Sequence, residues 1–402
     1  MKIFQLNTFC GIKSTGRIAT DIALLLERQG HKCRIGYGAG HVPKELERFG
    51  FRIGFPLERK IHSAIRKLFD GEGYGSHLGT LALIRELKRF QPDVIHLHNI
   101  HGCYLNFRLL FRYIKKSEIP VVWTLHDCWP MTGHCAYFEY ANCFRWQASC
   151  GQCVQQHQYP ICIGLDGSRR NLRHKKKLFS GLKKLRWVTP CNWLQSYVDH
   201  SWLRMYPSQV IYNGIDLSVF SPKNGEILKE KYQITAAHIL LAVAADWDER
   251  KGLRFLLEAA EKWDTEYQLV VLGLSNEQIL ALPHGILGIA ATSDVGELAA
   301  WYSLADCLVN PTMEDNMPMV NLEALACGTP VVVFQTGGCP EAVDETCGMV
   351  VPQGDSDALA KAVLQIASRK PELVTACLNR AKIFDNQTCY AKYLELYKEF
   401  AL

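Results

Sequence analysis

Apolar positions along the chain follow two alternating periods. Short continuous apolar runs, of the kind that strands buried on both faces leave, occupy 2–7, 33–37, 92–98 and 121–127. They recur at 239–245, 268–273, 307–310 and 331–334. Between these runs, apolar residues return every three or four positions, as with Ile18, Ile22, Leu25 and Leu26 in 18–28. The same spacing marks 253–263, 297–304 and 320–327. Strand and helix in strict alternation predict parallel sheets covered by helices. The scheme runs twice, so the pattern predicts two doubly wound α/β domains. Their boundaries are expected at 1–207 and 208–385, with a last helix at about 386–402 packing back on the first domain. The stretch 128–160 lacks either period and reads as an insertion.

Several runs end in polar residues. His96 and His98 close one strand, with His101 just beyond; His126 and Asp127 close the next. Ligands of open α/β sheets sit at that carboxyl edge.

The 402 residues are 48% hydrophobic and 21% charged, which excludes a disordered chain and a collagen-like fibre. No apolar run nears the 18 residues of a membrane span, and no signal-peptide pattern opens the chain, so a cytoplasmic location is expected. The net charge of +5 hides an asymmetry. Residues 1–207 hold 31 Lys/Arg against 14 Asp/Glu, whereas 208–402 hold 14 against 26. A basic first half suits anionic partners. Its densest stretch, 169–186, has nine Lys/Arg and no acid, interleaved with Leu172, Leu178, Phe179, Leu182 and Leu185. That composition fits an amphipathic face on an anionic membrane, with 54–69 adding to it; a nucleic-acid surface and a plain solvated helix are the alternatives.

Four of the sixteen cysteines, Cys135, Cys143, Cys150 and Cys153, fall within nineteen residues and end in a CxxC pair. The spacing suits tetrahedral zinc as a structural staple; reduced thiols or disulfides remain open. Asp246 and Asp248 form a weaker metal-donor pattern, as do His96, His98 and His101.

The most informative stretch is Pro311-Thr-Met-Glu314-Asp315-Asn316-Met317-Pro318, followed by a helix that carries Glu323 eight residues after Asp315. With Asn213-Gly-Ile-Asp216, Phe220-Ser-Pro222, Arg250-Lys251-Gly252 and Thr336-Gly337-Gly338-Cys-Pro-Glu341, it resembles retaining GT-B glycosyltransferases of the GT4 family. The segment from Trp123 to Cys135 is similar to a bacterial polysaccharide- and capsule-synthesis subgroup, and the resemblance spans the whole chain.

That resemblance implies two Rossmann-like domains facing a central cleft, the first for the acceptor and the second for a nucleotide-sugar donor. It implies catalytic roles for His126, Asp315 and Lys251. Gly16, Arg250, Lys251, Asp315, Asn316, Met317, Pro318 and Glu323 would bind the donor, and His98, His101 and Asp127 would lie on the acceptor side. His126 would serve as a hydrogen-bond donor to the sugar or, with Asp127, as a base. The family's usual Arg before the Lys is replaced by Asp246 and Ala245, leaving Arg250 as a substitute, and Glu314 competes with Asp315 for the first acidic role. The implied reaction moves a sugar to a growing, lipid-linked surface polysaccharide at the inner membrane face, with no catalytic cofactor and no nucleic-acid partner. An epimerase of the same fold and a non-catalytic nucleotide- or glycan-binding protein are the alternatives.

Overall fold

The computed structural model describes residues 1–292 and 294–401. Among them the chain divides into two compact units: residues Met1–Tyr212 with those from Tyr390 onward, and residues Asn213–Cys389.

The first unit is built on strands β1 (Lys2–Asn7), β2 (Lys32–Tyr37), β3 (Gly50–Arg52), β4 (Val94–Leu97), β5 (Val121–Thr124), β6 (Leu185–Thr189) and β7 (Ser208–Val210). They lie in the order β3-β2-β1-β4-β5-β6-β7, and every pairing is parallel. β4 and β5 are buried at every position, which is why they read as unbroken apolar runs. The second unit holds β8 (His238–Val243), β9 (Tyr267–Leu272), β10 (Leu287–Ile289), β11 (Cys307–Asn310), β12 (Val331–Phe334) and β13 (Gly348–Val351). Its order is β10-β9-β8-β11-β12-β13, again parallel throughout.

The expected boundary at 207/208 falls too early. Ser208–Val210 pairs with β6 as an edge strand, so the junction follows Tyr212. Three half-buried residues leave too short a pattern to read. The last helix, Asn386–Ala401, starts in the second unit and belongs to the first from Tyr390 onward; position 402 of the expected helix lies outside the described residues. Two tyrosines tie it down: Tyr393 Oη lies 2.9 Å from Thr124 Oγ1, and Tyr397 Oη 2.6 Å from His96 Nδ1.

The stretch 128–160 contains one short 3-10 turn, Arg145–Gln147, yet has a core of its own. The Phe138 ring packs tilted against Trp146 and edge-to-face against Tyr197, each at 5.0 Å. Glu139 Oε1 accepts from Trp193 Nε1 at 3.3 Å and from Tyr197 Oη at 3.0 Å. Aromatic packing and one carboxylate thus hold the stretch to the helix Asn192–Asp199.

The basic stretch 169–186 is not one amphipathic helix. The helix Ser168–Phe179 ends before Gly181, and Leu185 and Arg186 lie in β6. Leu172, Phe179, Leu182 and Leu185 are buried and Leu178 is half-buried, so the expected apolar membrane face is absent there. Instead the helix Pro56–Phe69 exposes Leu57, Ile61 and Leu68 at 62, 56 and 47%. These three lie on one helical stripe, with Lys60 and Lys67 exposed beside it.

Candidate functional site

In the second unit, three loops meet beyond the strand ends. Asp248 caps the 3-10 turn Glu249–Lys251, its Oδ1 accepting from Lys251 N at 3.0 Å. Gly252 follows at φ +75°, where a Cβ would stand 2.0 Å from the Pro311 carbonyl oxygen; only glycine lets the backbones approach so closely. The contact is locked as Met313 N donates to Arg250 O at 2.7 Å and Arg250 Nη1 donates to Glu314 O at 2.7 Å.

This places two cations on one carboxylate. Lys251 Nζ lies 2.6 Å, and Arg250 Nη1 3.9 Å, from Asp315 Oδ2. Burial pushes the Asp315 carboxyl up, but the charges of Lys251 and Arg250 and the Lys251 hydrogen bond outweigh it and hold the pKa below the ordinary value. Adjacent side chains at 250 and 251 converge because the turn that carries them is tight. The neighbouring acid, Glu314, is 2% exposed, so Asp315 is the acid that meets Lys251.

A third loop closes behind Asp315. Gly338 N donates to its carbonyl at 3.0 Å. Gly337, at φ +54°, has no room for a side chain, since a Cβ would lie 1.9 Å from the same oxygen. Asn316 and Met317 are buried, and Asn213 Nδ2 donates to Met317 O at 3.3 Å. Pro318 precedes the helix Met319–Ala326, and Glu323 on that helix accepts from Tyr302 Oη at 2.8 Å. Tyr302 escaped the sequence reading because it sits in the largely apolar helix Val295–Leu304.

In the first unit the histidines form a buried chain. His98 Nε2 lies 2.8 Å from Gln5 Oε1, and His98 Nδ1 2.9 Å from His126 Nε2. His96 contacts Thr124 Oγ1 and Tyr397 Oη. Burial lowers the pKa of His126 to about 4, with Asp127 opposing and His101 adding to the effect. His96 and His98 are pushed well below the ordinary value, again by burial first.

Two expectations change here. Asp127 pairs with His101, at 2.8 Å, rather than acting as the partner of His126; its other oxygen accepts from Trp129 N. His98 and His101, expected to face an acceptor, are 1% and 3% exposed, and both ring nitrogens of each are engaged within the unit, His101 Nδ1 with Tyr159 Oη. A side chain at a strand's end can bury as readily as point outward. Gly16, expected in a ligand loop, lies in the first turns of the helix Lys13–Arg28 and is buried, its Cα facing Phe9.

The four clustered thiols are neighbours. Cys143, Cys150 and Cys153 each push the Cys135 thiol up, after burial itself, and burial first raises Cys153 to about 12. Among the described residues no cysteine is in a disulfide, and the three metal-donor side chains whose ligand atoms gather within 4.8 Å are His62, Glu72 and Cys103 instead. That trio is occupied internally: His62 Nε2 accepts from Gly73 N, and Glu72 Oε1 accepts from the amides of Gly102 and Cys103.

Two parallel-sheet Rossmann-like units are the fold of the GT-B class of sugar-transferring enzymes. Solved structures of that class cover almost all of the chain. Sucrose-phosphate synthase from Thermosynechococcus elongatus matches 99% of it and 98% of its own length, at TM-score 0.74 and 16% identity. HepE from Anabaena, solved in complex with UDP-glucose, matches 99% and 100%, at TM-score 0.68 and 15% identity. A relative named as a colanic acid biosynthesis glycosyl transferase, WcaC of Escherichia coli K12, is 24% identical over 98% of this chain and 96% of its own. The profile described as Glycosyltransferase Family 4 matches residues 15–219, just over half of the chain, and that of Glycosyl transferases group 1 matches 237–369. The chain belongs to Glycosyltransferase Family 4.

Proposed function

We propose that the protein is a retaining hexosyltransferase that takes its sugar from a nucleotide-sugar and adds it to a growing, lipid-linked surface polysaccharide. The observation that carries this reading is the convergence of Lys251 and Arg250 on Asp315. A departing nucleotide diphosphate gains negative charge, and cations already fixed at that point stabilise the transition state more than the ground state. In the absence of donor Asp315 holds the cations in place; with donor bound, the phosphates take them over and Asp315, with the loop 316–318, holds the sugar. Glu323 receives the ribose hydroxyls. In this reading His126 serves the sugar as a neutral hydrogen-bonding side chain. The new glycosidic bond forms on the face from which the diphosphate leaves, and the acceptor hydroxyl's proton passes to the departing phosphate oxygen. No cofactor enters this step.

The exposed stripe Leu57, Ile61 and Leu68 beside Lys60 and Lys67 favours peripheral attachment to the anionic inner face of the membrane, where a lipid-linked acceptor is found. Among the described residues no helix is long and apolar enough to cross a membrane. A zinc ion on Cys135, Cys143, Cys150 and Cys153 would staple the stretch that carries them; four neighbouring thiols are the donor set zinc prefers. Nucleic acid is not a partner in this reading.

A thermal-shift panel of UDP-, GDP-, ADP- and TDP-sugars tests it. A ligand at a hundred times its Kd adds about 2.7 kcal/mol. One nucleotide family should shift the wild type but neither Glu323→Ala nor Lys251→Ala. A wild type that no nucleotide-sugar shifts removes the donor site.

A further inference from the structure

A cavity of about 1070 Å³ opens in the first unit between the helices Phe107–Ser117 and Ser168–Phe179 and the segment 70–77. None of the residues assigned above to sugar transfer lines it. Its volume suits a ligand of several rings.

The mouth carries charge of one sign. Arg108, Arg112, Lys115, Lys116 and Lys177 line it, all exposed or half-buried. The acids of the lining, Asp70 and Glu72, are both buried, and Glu72 is spent on the amides of Gly102 and Cys103. Five cations with no exposed acid among them select an anionic group.

The inner wall is different. Asp70 Oδ1 lies 2.7 Å from His134 Nδ1, which leaves the second atom of each group, Asp70 Oδ2 and His134 Nε2, for another partner. His134 Nε2 and Asp70 Oδ2 are buried and have no hydrogen-bond partner in the protein. Both residues are 2% exposed and line the cavity, and both atoms are polar groups that still call for a hydrogen bond. A hydrocarbon chain seated there would leave both unpaired. Hydroxyl groups satisfy them. Phe107, Trp129 and Leu178 supply apolar walls against which sugar rings pack.

We propose that this cavity is a binding site for a saccharide bearing an anionic group, its hydroxyls hydrogen-bonding with Asp70 and His134 and its carboxylate, phosphate or sulfate held by the cations at the mouth. The assignment stands on the cavity alone. Its use, holding an acidic segment of the growing glycan away from the reacting end, rests on the transfer reading above.

Calorimetric titration of the full chain, without nucleotide-sugar, tests the site. The probes are hyaluronan tetrasaccharide, neutral cellotetraose, inorganic sulfate and farnesyl phosphate. Hyaluronan tetrasaccharide should bind saturably and at least tenfold more tightly than cellotetraose. Arg112→Glu, Asp70→Asn and Leu178→Trp should each weaken it tenfold or more, with the nucleotide-sugar thermal shift unchanged. Asparagine tolerates the left-handed φ of +51° at position 70, and Leu178 is only half-buried, so both variants should fold. Three results overturn the proposal: no saturable binding at millimolar tetrasaccharide, tighter binding of farnesyl phosphate, or binding that Asp70→Asn and Leu178→Trp leave unchanged and sulfate matches. The nucleotide-sugar panel is read separately, so failure of the donor site and failure of this cavity are distinguishable.

Discussion

His98 Nδ1 and His126 Nε2 lie 2.9 Å apart, with the two rings stacked at 5.2 Å. The hydrogen between them has a determined owner. Gln5 Nε2 donates to Ala19 O and Cys33 Sγ, so Gln5 Oε1 faces His98 and accepts from its Nε2–H. His98 Nδ1 then carries the lone pair, and His126 Nε2 the hydrogen. In that arrangement His126 Nε2–H donates to His98 Nδ1.

The same burial predicts a pH response. Folding keeps His126 neutral down to about pH 4, whereas the unfolded chain binds a proton near the ordinary 6.5. The stability this group contributes is thus complete above about pH 6.5 and is lost as pH falls toward 4. His96 and His98 act in the same sense. Urea midpoints should drop steeply across that window, and less steeply in His126→Gln. A flat profile in the wild type would mean that the ring is solvated and titrates normally.

Gly337→Ala should abolish nucleotide-sugar binding while leaving most of the second unit folded. The added methyl would meet the Asp315 carbonyl at 1.9 Å, at a φ that alanine avoids, so the loop must move and take Asp315 with it. Loss of the thermal shift with a largely unchanged far-UV spectrum is the expected result.

Lys251→Met should weaken donor binding about tenfold to a hundredfold, the usual worth of a bond to a charged group. Measured by titration with the nucleotide-sugar that the panel identifies, an affinity within twofold of wild type would put the diphosphate elsewhere.

Glu139→Ala should destabilise the first unit by about 1–3 kcal/mol, since Trp193 Nε1 and Tyr197 Oη both lose their acceptor. Denaturant unfolding followed by tryptophan fluorescence reads it out. Donor affinity should not change.

Metal content of the purified chain tests the staple. One zinc per chain is expected, lost in Cys150→Ser/Cys153→Ser together with several degrees of Tm. A chain that purifies with no zinc, at the stability of that variant, would leave the four thiols simply reduced.

Much of this was legible in the chain. Runs such as 121–127 announced parallel strands because burial on both faces leaves no polar alternation. The spacing of Asp315 and Glu323 located the acidic loop because the helix between them is rigid. What stayed hidden depends on direction. Nothing in the order Arg250-Lys251 tells that both side chains reach one carboxylate; that follows from Gly252 against Pro311. Leu172 and Phe179 recur as a membrane-facing stripe would, yet both are buried, and Phe179 packs on the distant Phe111 and Trp123. The pairing of His101 with Asp127 is likewise a long-range contact that local pattern does not encode.

The helix Asn386–Ala401 carries a consequence for the order of events at the ribosome. Thr124 and His96 belong to strands made early, but their partners Tyr393 and Tyr397 emerge only after the whole second unit has been synthesised. Until then His96 and Thr124 have each other but not their tyrosines, and the first unit waits, unfinished, for its last helix. The unit made first is therefore completed last, and a nascent chain stalled anywhere before Tyr393 presents the protein-quality machinery with an open face on its first sheet.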